Sequence, residues 1–129
     1  MSTQKAVKEW VKMSQYDLKT AEVMLETGRY LYVAFMCQQS IEKMLKAVYI
    51  YKKNQLPPRT HNLAYLTDIL ELNLEEKDKA LLYQLNQFYI ESRYPDERTK
   101  LVKEVNKLKG QMYLKRTQEV QRCLKRDLL

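Results

Sequence analysis

The chain of 129 residues has few of the residues that build turns, since it contains two glycines and three prolines. A chain of this length and average composition would have roughly fifteen of them. A dinucleotide fingerprint needs three closely spaced glycines and a P-loop needs two, and Gly28 and Gly110 can form neither. The shortage therefore excludes nucleotide sites built from a glycine-rich backbone loop, and it predicts long elements joined by few turns.

Histidine and cysteine are almost as scarce. His61 is the single histidine, which excludes the two-histidine helix motif of zinc proteases and any histidine-rich metal site. We therefore expect neither a bound metal nor another cofactor. Cys37 and Cys123 lie too far apart in sequence for a CxxC pair, and two buried thiols are expected in preference to a disulfide.

The sequence shows no segment that targets a membrane. Its longest uncharged run, Tyr30 to Ile41, is too short to cross a bilayer. The first thirteen residues carry three lysines and one glutamate, unlike the apolar core of a signal peptide. Together with the reduced cysteines, these features predict a cytoplasmic protein without a membrane partner.

The whole chain has a net charge of +7 at pH 7. The positive charge is concentrated in its C-terminal part. Residues 1–95 hold thirteen Lys and Arg against eleven Asp and Glu, whereas residues 96–129 hold ten against five. A basic segment attracts the phosphates of a nucleic acid whatever its nucleotide sequence. On charge alone, however, a solvated helix face is the favoured interpretation.

Apolar residues recur every three or four positions along most of the chain, which predicts an all-α fold. The first predicted helix ends at Gly28, and the second runs from about Tyr30 to Lys53. Because only Gly28 and Arg29 join them, these two long helices must be antiparallel. We expect one domain over residues 1–129, an up-and-down bundle of four to five helices with these two as its N-terminal pair.

The remaining helices are predicted from their start and stop signals. A break at residues 54–59 contains two adjacent prolines, which cannot continue a helix. Thr60 is predicted to cap a short helix after this break. A capping box from Asn73 to Glu76 predicts the start of the next helix, which should end near Ser92. The last predicted helix starts at Pro95 and is kinked at Gly110.

The second helix carries a polar face, because Gln39, Glu42, Lys43 and Lys46 are spaced at i, i+3, i+4 and i+7. Glu42 and Lys46 have the spacing of an ion pair on a helix surface. Gln38 lies instead on the apolar stripe. It needs a hydrogen-bond partner, because burying an unpaired amide costs roughly 1–3 kcal/mol, so we expect a structural or interface role for it.

Four segments in order resemble the HEPN domain family, and together they cover nearly the whole chain. They are YDLKTAE at 16–22, FMCQQSIEKMLKA at 35–47, THNL at 60–63 and RYP at 93–95. The resemblance implies a small helical bundle that handles nucleotides or RNA. It also implies a homodimer and, as in many small prokaryotic members, a minimal nucleotidyltransferase partner in a toxin–antitoxin module.

Ribonuclease-active members of that family carry an arginine followed by a polar residue and, four to six positions further on, a histidine. Arg93 resembles this arginine, but no histidine follows it. RNA cleavage through the ribose 2′-OH needs a group that moves a proton and a cation that stabilises the phosphorane. Arg93 supplies the cation only. Tyr94, Asp96 or Glu97 would have to replace the base, or His61 would have to arrive from another part of the fold.

Binding without cleavage survives the loss of this histidine. An arginine grips phosphate, a tyrosine stacks on a base, and lysines add charge. The predicted nucleotide-binding or RNA-binding residues are Arg93, Tyr94, Lys43, Lys46, Gln39 and His61, and Arg93 is also the one candidate catalytic residue. The predicted structural polar residues are Asp17, Gln38 and Glu42, with Asp17 paired to Lys43, Lys46 or Arg93.

Three functional hypotheses follow. The favoured one is a HEPN protein that binds nucleotide or RNA near Arg93 and acts with a nucleotidyltransferase. The second is an active, metal-independent ribonuclease that uses Arg93 with a substitute base. The third is a protein-interaction module that binds no nucleotide, in which Arg93, Tyr94 and Pro95 only connect two helices and His61 only orients its loop.

Overall fold

The computed structural model describes residues 3–126 and residue 128. These residues form α-helices and connections, and no strand occurs among them. The helices are α1 (Thr3–Glu26), α2 (Tyr30–Lys53), α3 (Leu63–Ile69), α4 (Glu76–Glu91), α5 (Pro95–Glu104) and α6 (Lys107–Arg126). The predicted all-α bundle is confirmed. In this part of the chain none of the helices is both long enough and apolar enough to span a membrane.

Helices α1 and α2 form the predicted antiparallel pair, and the bounds of α2 agree with the prediction. Contacts between them run in opposite directions along the sequence, because Thr3 at the start of α1 meets Asn54 just after the end of α2, whereas Ser14 meets Ser40. The connection turns at Gly28, whose φ of 79° lies in the left-handed region that glycine adopts without strain.

Helix α2 is the centre of the bundle, since α1, α3, α4, α5 and α6 all pack against it. Most of its residues are therefore buried, including several polar ones. One buried polar cluster fixes the register of three helices. Ser14 Oγ on α1 donates to Ser40 O on α2 over 2.6 Å, and Gln121 Nε2 on α6 donates to the Oγ atoms of both serines, at 3.1 and 3.0 Å.

The C-terminal part contains two helices instead of the one kinked helix that was predicted. The described residues therefore form six helices instead of four to five. The break lies at Val105, whose backbone is extended with φ −88° and ψ 92°. Asn106 Oδ1 then accepts from Lys109 N at 2.9 Å, as the side chain that caps a new helix does. Gly110 lies inside α6 and is buried. A Cβ atom added at this position would lie 3.3 Å from a methyl group of Leu25.

The starts of α3 and α4 also differ from the predictions. Asn62, not Thr60, caps α3, because Asn62 Oδ1 accepts from Tyr65 N at 3.2 Å. Thr60 Oγ1 accepts from Asn62 N and so supports the cap. The capping box predicted at Asn73 is wrong, since Glu75 precedes the first residue of α4 and makes no side-chain cap. The predicted end at Ser92 and start at Pro95 are confirmed.

The two cysteines are free and lie in different environments. Cys37 is buried, as predicted, whereas Cys123 is exposed, so the prediction of two buried thiols is wrong for Cys123. Burial raises the pKa of the Cys37 thiol to about 12, and the nearby Thr117 side chain only partly opposes this effect.

We expect a maleimide at about pH 8 to modify Cys123 within minutes and to leave Cys37 unmodified in the folded protein. A thiol with a pKa of about 12 is a thiolate in only about one molecule in ten thousand at this pH, and the thiolate is the nucleophile. Mass spectrometry of the adducts measures the result, and Cys123→Ser is the control that should abolish labelling. Equal labelling of both thiols under native conditions would contradict the burial of Cys37.

Candidate functional site

His61 lies in the connection between α2 and α3, where a buried carboxylate fixes its ring. His61 Nδ1 is 2.9 Å from Glu42 Oε1 on α2. The side chain of Glu42 is 6% exposed and that of His61 is 56% exposed. Because a carboxylate only accepts, this contact places a proton on Nδ1, and in the neutral imidazole Nε2 is then an acceptor. The exposed edge of the imidazole can therefore face a ligand.

Glu42 is itself held by its neighbours on α2. Lys46 Nζ lies 3.0 Å from Glu42 Oε2, and it also lies 5.5 Å over the ring of Trp10. The predicted i,i+4 pair is thus present, but it is buried and not on the helix surface, with side chains 8% and 6% exposed. Gln38 Nε2 donates to His61 O at 2.8 Å and to Glu42 Oε1 at 3.4 Å. The amide nitrogen of buried Gln38 therefore has the partners that its position requires, whereas Gln38 Oε1 has no hydrogen-bond partner among the described residues.

Helix α4 holds the loop of His61 from the other side. Asn86 Oδ1 accepts from Leu63 N at 3.0 Å, and Asn86 Nδ2 donates to Asn62 Oδ1 at 3.2 Å. The residues that follow His61 are thus bonded to α4, while its own carbonyl is bonded to α2. Two helices consequently fix the position of the only histidine.

The ring of Tyr89 brings His61 and Arg93 to one place. The centroid of the Tyr89 ring is 5.0 Å from that of His61, and Arg93 Cζ lies 5.1 Å from the Tyr89 centroid. Phe35 of α2 stacks against Tyr89 at 5.5 Å. Tyr89 is in the last turn of α4 and Arg93 follows that helix by two residues, where its guanidinium lies over the Tyr89 ring. We call His61, Glu42, Tyr89 and Arg93 the Tyr89 cluster.

The other predicted site residues differ in their partners and in their exposure. Lys43 pairs with Asp17 of α1, one of the three cations foreseen for this carboxylate. The charges of Lys43 and Lys46 are thus each offset by a carboxylate. Gln39 is half-buried on α2. Tyr94 precedes α5 and is 61% exposed, so its ring is open to stacking.

Sequence reasoning did not assign Tyr89 and Phe35 to the site. The spacing of Tyr89 and Arg93 was an available signal, because residues at i and i+4 are neighbours on a helix. The contact between Tyr89 and His61 joins α4 to a distant loop, and neither periodicity nor local spacing reports a contact of this kind.

The arrangement combines three chemical groups. Arg93 offers a planar guanidinium, which matches phosphate oxygens in bidentate geometry. The exposed ring of Tyr94 offers a stacking surface. His61 offers a ring nitrogen oriented by a carboxylate, as in nucleophile-activating dyads. Across residues 3–126 and 128, no group of three or more His, Cys, Asp or Glu side chains is placed to hold a metal ion.

We expect Glu42→Ala to lower the free energy of unfolding by about 3–5 kcal/mol, because it leaves the Lys46 ammonium buried without its partner. Urea denaturation monitored by circular dichroism measures the loss. Lys100→Ala, which breaks the exposed Lys100–Glu97 pair, should cost less than about 1 kcal/mol. Similar small losses for both variants would show that Glu42 does not stabilise a buried charge.

Comparison with known proteins gives independent information on the family. The family model of the HEPN domain, which describes the sequences of that family, matches residues 7–127. A curated protein of Methanocaldococcus jannaschii, named "Putative toxin MJ1304", is 31% identical over 101 residues, which are 71% of this chain and 65% of that protein. The chain thus spans slightly less than two thirds of the length of this relative.

A solved structure supports the architecture. The crystal structure of TT1696 from Thermus thermophilus is similar with a TM-score of 0.78, and the similarity covers 95% of this chain and 98% of that chain at 21% identity. At this identity the similarity concerns the fold alone. The family match runs from the first turns of α1 to the end of α6, and the chain belongs to the HEPN domain family.

Proposed function

We propose that the protein binds nucleotide or RNA at the Tyr89 cluster, as the HEPN component of a module with a minimal nucleotidyltransferase. The observation that carries the proposal is the contact of both His61 and Arg93 with the Tyr89 ring, at 5.0 and 5.1 Å. Two polar groups of different chemistry therefore converge on one exposed place, as the groups of a ligand site do.

Charge and stacking support this proposal. Lys43 and Lys46 are paired with carboxylates, so Arg93 supplies the phosphate-binding cation of the site. The ring of Tyr94 is 61% exposed and follows Arg93 directly in the chain. Base stacking on an aromatic ring contributes about 1–3 kcal/mol per base without a requirement for sequence. If Arg93 binds the phosphate and Tyr94 stacks on the base, the protein can bind a nucleotide without a glycine-rich loop.

We expect Arg93→Ala to weaken binding of labelled ATP and of short RNA by about tenfold or more, because a hydrogen bond to a charged group contributes about 1.5–3 kcal/mol. Fluorescence anisotropy at moderate salt measures both affinities. The matched control is Arg122→Ala, an exposed arginine on α6, which should change them less than about twofold. If the wild type binds neither ligand, the interaction-module hypothesis replaces the proposal.

The His61–Glu42 contact favours a second function, that of a metal-independent ribonuclease. In this reaction His61 Nε2 takes the proton of a ribose 2′-OH while the 2′-oxygen attacks phosphorus. The bond to the 5′-oxygen breaks, that oxygen leaves with a proton from solvent, and a 2′,3′-cyclic phosphate remains. Arg93 stabilises the charge on the phosphorane. His61 would replace the histidine that is absent after Arg93.

Incubation with single-stranded RNA in the presence of EDTA distinguishes binding from cleavage. The ribonuclease hypothesis predicts products that end in a 2′,3′-cyclic phosphate, loss of cleavage but not of binding in His61→Gln, and loss of both in Arg93→Ala. Mass spectrometry of the products and anisotropy of the bound RNA give the two readouts. Intact RNA in the presence of wild-type protein that binds it would exclude the ribonuclease and leave the binding function.

The family match and the relative named as a toxin support the proposed module and homodimer. We expect a minimal nucleotidyltransferase gene beside that of this protein, expression of the chain alone to slow growth of a bacterial host, and co-expression with that nucleotidyltransferase to restore growth. Light scattering should give about twice the mass of the 15.5 kDa chain. A monomeric mass would contradict the homodimer, and unaffected growth with no co-purifying nucleotidyltransferase would contradict the module.

A further inference from the structure

A second pair of arginine and tyrosine lies beside the Tyr89 cluster. Arg98 Cζ lies 5.1 Å from the ring centroid of Tyr32, and Arg98 Nη2 donates a hydrogen bond to Tyr32 Oη. Tyr32 is in the first turn of α2, and Arg98 lies near the start of α5. The pair repeats the arrangement of Arg93 over Tyr89. Both arginines are exposed, one just after α4 and one near the start of α5.

Aromatic rings connect the two pairs. The centroids of Tyr32 and Phe35 are 6.3 Å apart, those of Phe35 and Tyr89 are 5.5 Å apart, and those of Tyr89 and His61 are 5.0 Å apart. We call these four rings the ring row. It runs from the start of α2 to the loop before α3. Tyr32 is 36% exposed at one end, and the side chain of His61 is 56% exposed at the other.

We propose that the ring row with Arg93 and Arg98 binds a single-stranded RNA segment, with Arg98 and Tyr32 as a second subsite for a phosphate and a base. The inference rests on the proposed function and extends it from one nucleotide to a chain. A nucleoside monophosphate such as AMP carries one base and one phosphate group, so it would leave one of the two pairs empty. A polynucleotide presents a base and a phosphate at each step, which matches a repeat of ring and guanidinium.

The chemistry of the row favours RNA over an acidic peptide. Carboxylates of a peptide would satisfy the two guanidinium groups, but they would make no stacking contact with the exposed parts of the Tyr32 and His61 rings, which the bases of RNA can make. Arg98 follows Arg93 by five residues and is exposed like it. A guanidinium at this position adds a phosphate contact and no base, so it strengthens binding without supplying proton transfer.

The experiment compares AMP with a ten-residue oligo(A) RNA whose 2′-O-methyl groups prevent cleavage. We expect Arg98→Ala to weaken RNA binding by about tenfold and to change AMP binding less than about twofold. The slope of log K against log salt for RNA should fall by about 0.7, the contribution of one phosphate contact in a single strand. Lys103→Ala, which removes an exposed cation from the last turn of the same helix, is the control and should leave both affinities within about twofold.

Further variants separate binding from a structural role of the Arg98–Tyr32 contact. Arg98→Lys keeps the charge but loses the planar group, so we expect RNA affinity between those of the wild type and Arg98→Ala. Thermal unfolding of each variant shows whether the fold persists. If Arg98→Ala does not fold, Arg98→Lys and Tyr32→Phe carry the same comparison of RNA with AMP.

The outcomes distinguish this inference from the proposed function. Unchanged RNA affinity in the Arg98 variants, or an equal loss for AMP and RNA, would overturn the second subsite while Arg93-dependent binding of AMP still supports the proposed function. If polyglutamate displaces labelled RNA as effectively as unlabelled RNA does, the site binds acidic chains in general and the inference is overturned. If the wild type binds neither AMP nor RNA, the proposed function itself fails.

Discussion

The contact on which the site depends is the one between Glu42 and its two partners. A carboxylate inside the bundle is costly unless its oxygens are paired, and here one oxygen meets Lys46 at 3.0 Å and the other meets His61 at 2.9 Å. The buried ion pair within α2 therefore fixes the histidine of a neighbouring loop. Because α2 is the helix that all the others contact, the position of His61 is tied to the core of the protein.

A bundle with two glycines has to present functional groups from helix faces and helix ends. Tyr89 is in the last turn of α4, and Arg93 follows that helix. Hydrogen bonds from α2 and α4 hold the loop of His61 beside them. This explains how a chain without a phosphate-binding loop gains a cation, an aromatic surface and an oriented imidazole at one place. Rigid helices here fix the positions of these side chains, whereas nucleotide-binding folds with a glycine-rich loop use the backbone of that loop.

Much of the fold could be predicted because it depends on local signals. The apolar period predicted α1 and α2, and Pro95 predicted the start of α5, which the structure confirms. The break at Val105 was missed, because Leu101 and Val105 continue the apolar period across it and Asn106 resembles an ordinary polar residue. Arg93 and His61 were recognised separately, but their convergence on Tyr89 is a tertiary contact that no local spacing encodes.

The central claim is that His61 and Arg93 contact the same ligand at Tyr89. Since His61 is the only histidine, its imidazole gives a single set of nitrogen signals in a ¹⁵N-labelled sample. Titration with oligo(A) RNA, followed by nuclear magnetic resonance, is expected to shift the His61 ring signals and the Arg93 side-chain signal with one common Kd. RNA binding that leaves the His61 ring signals unchanged would contradict the claim.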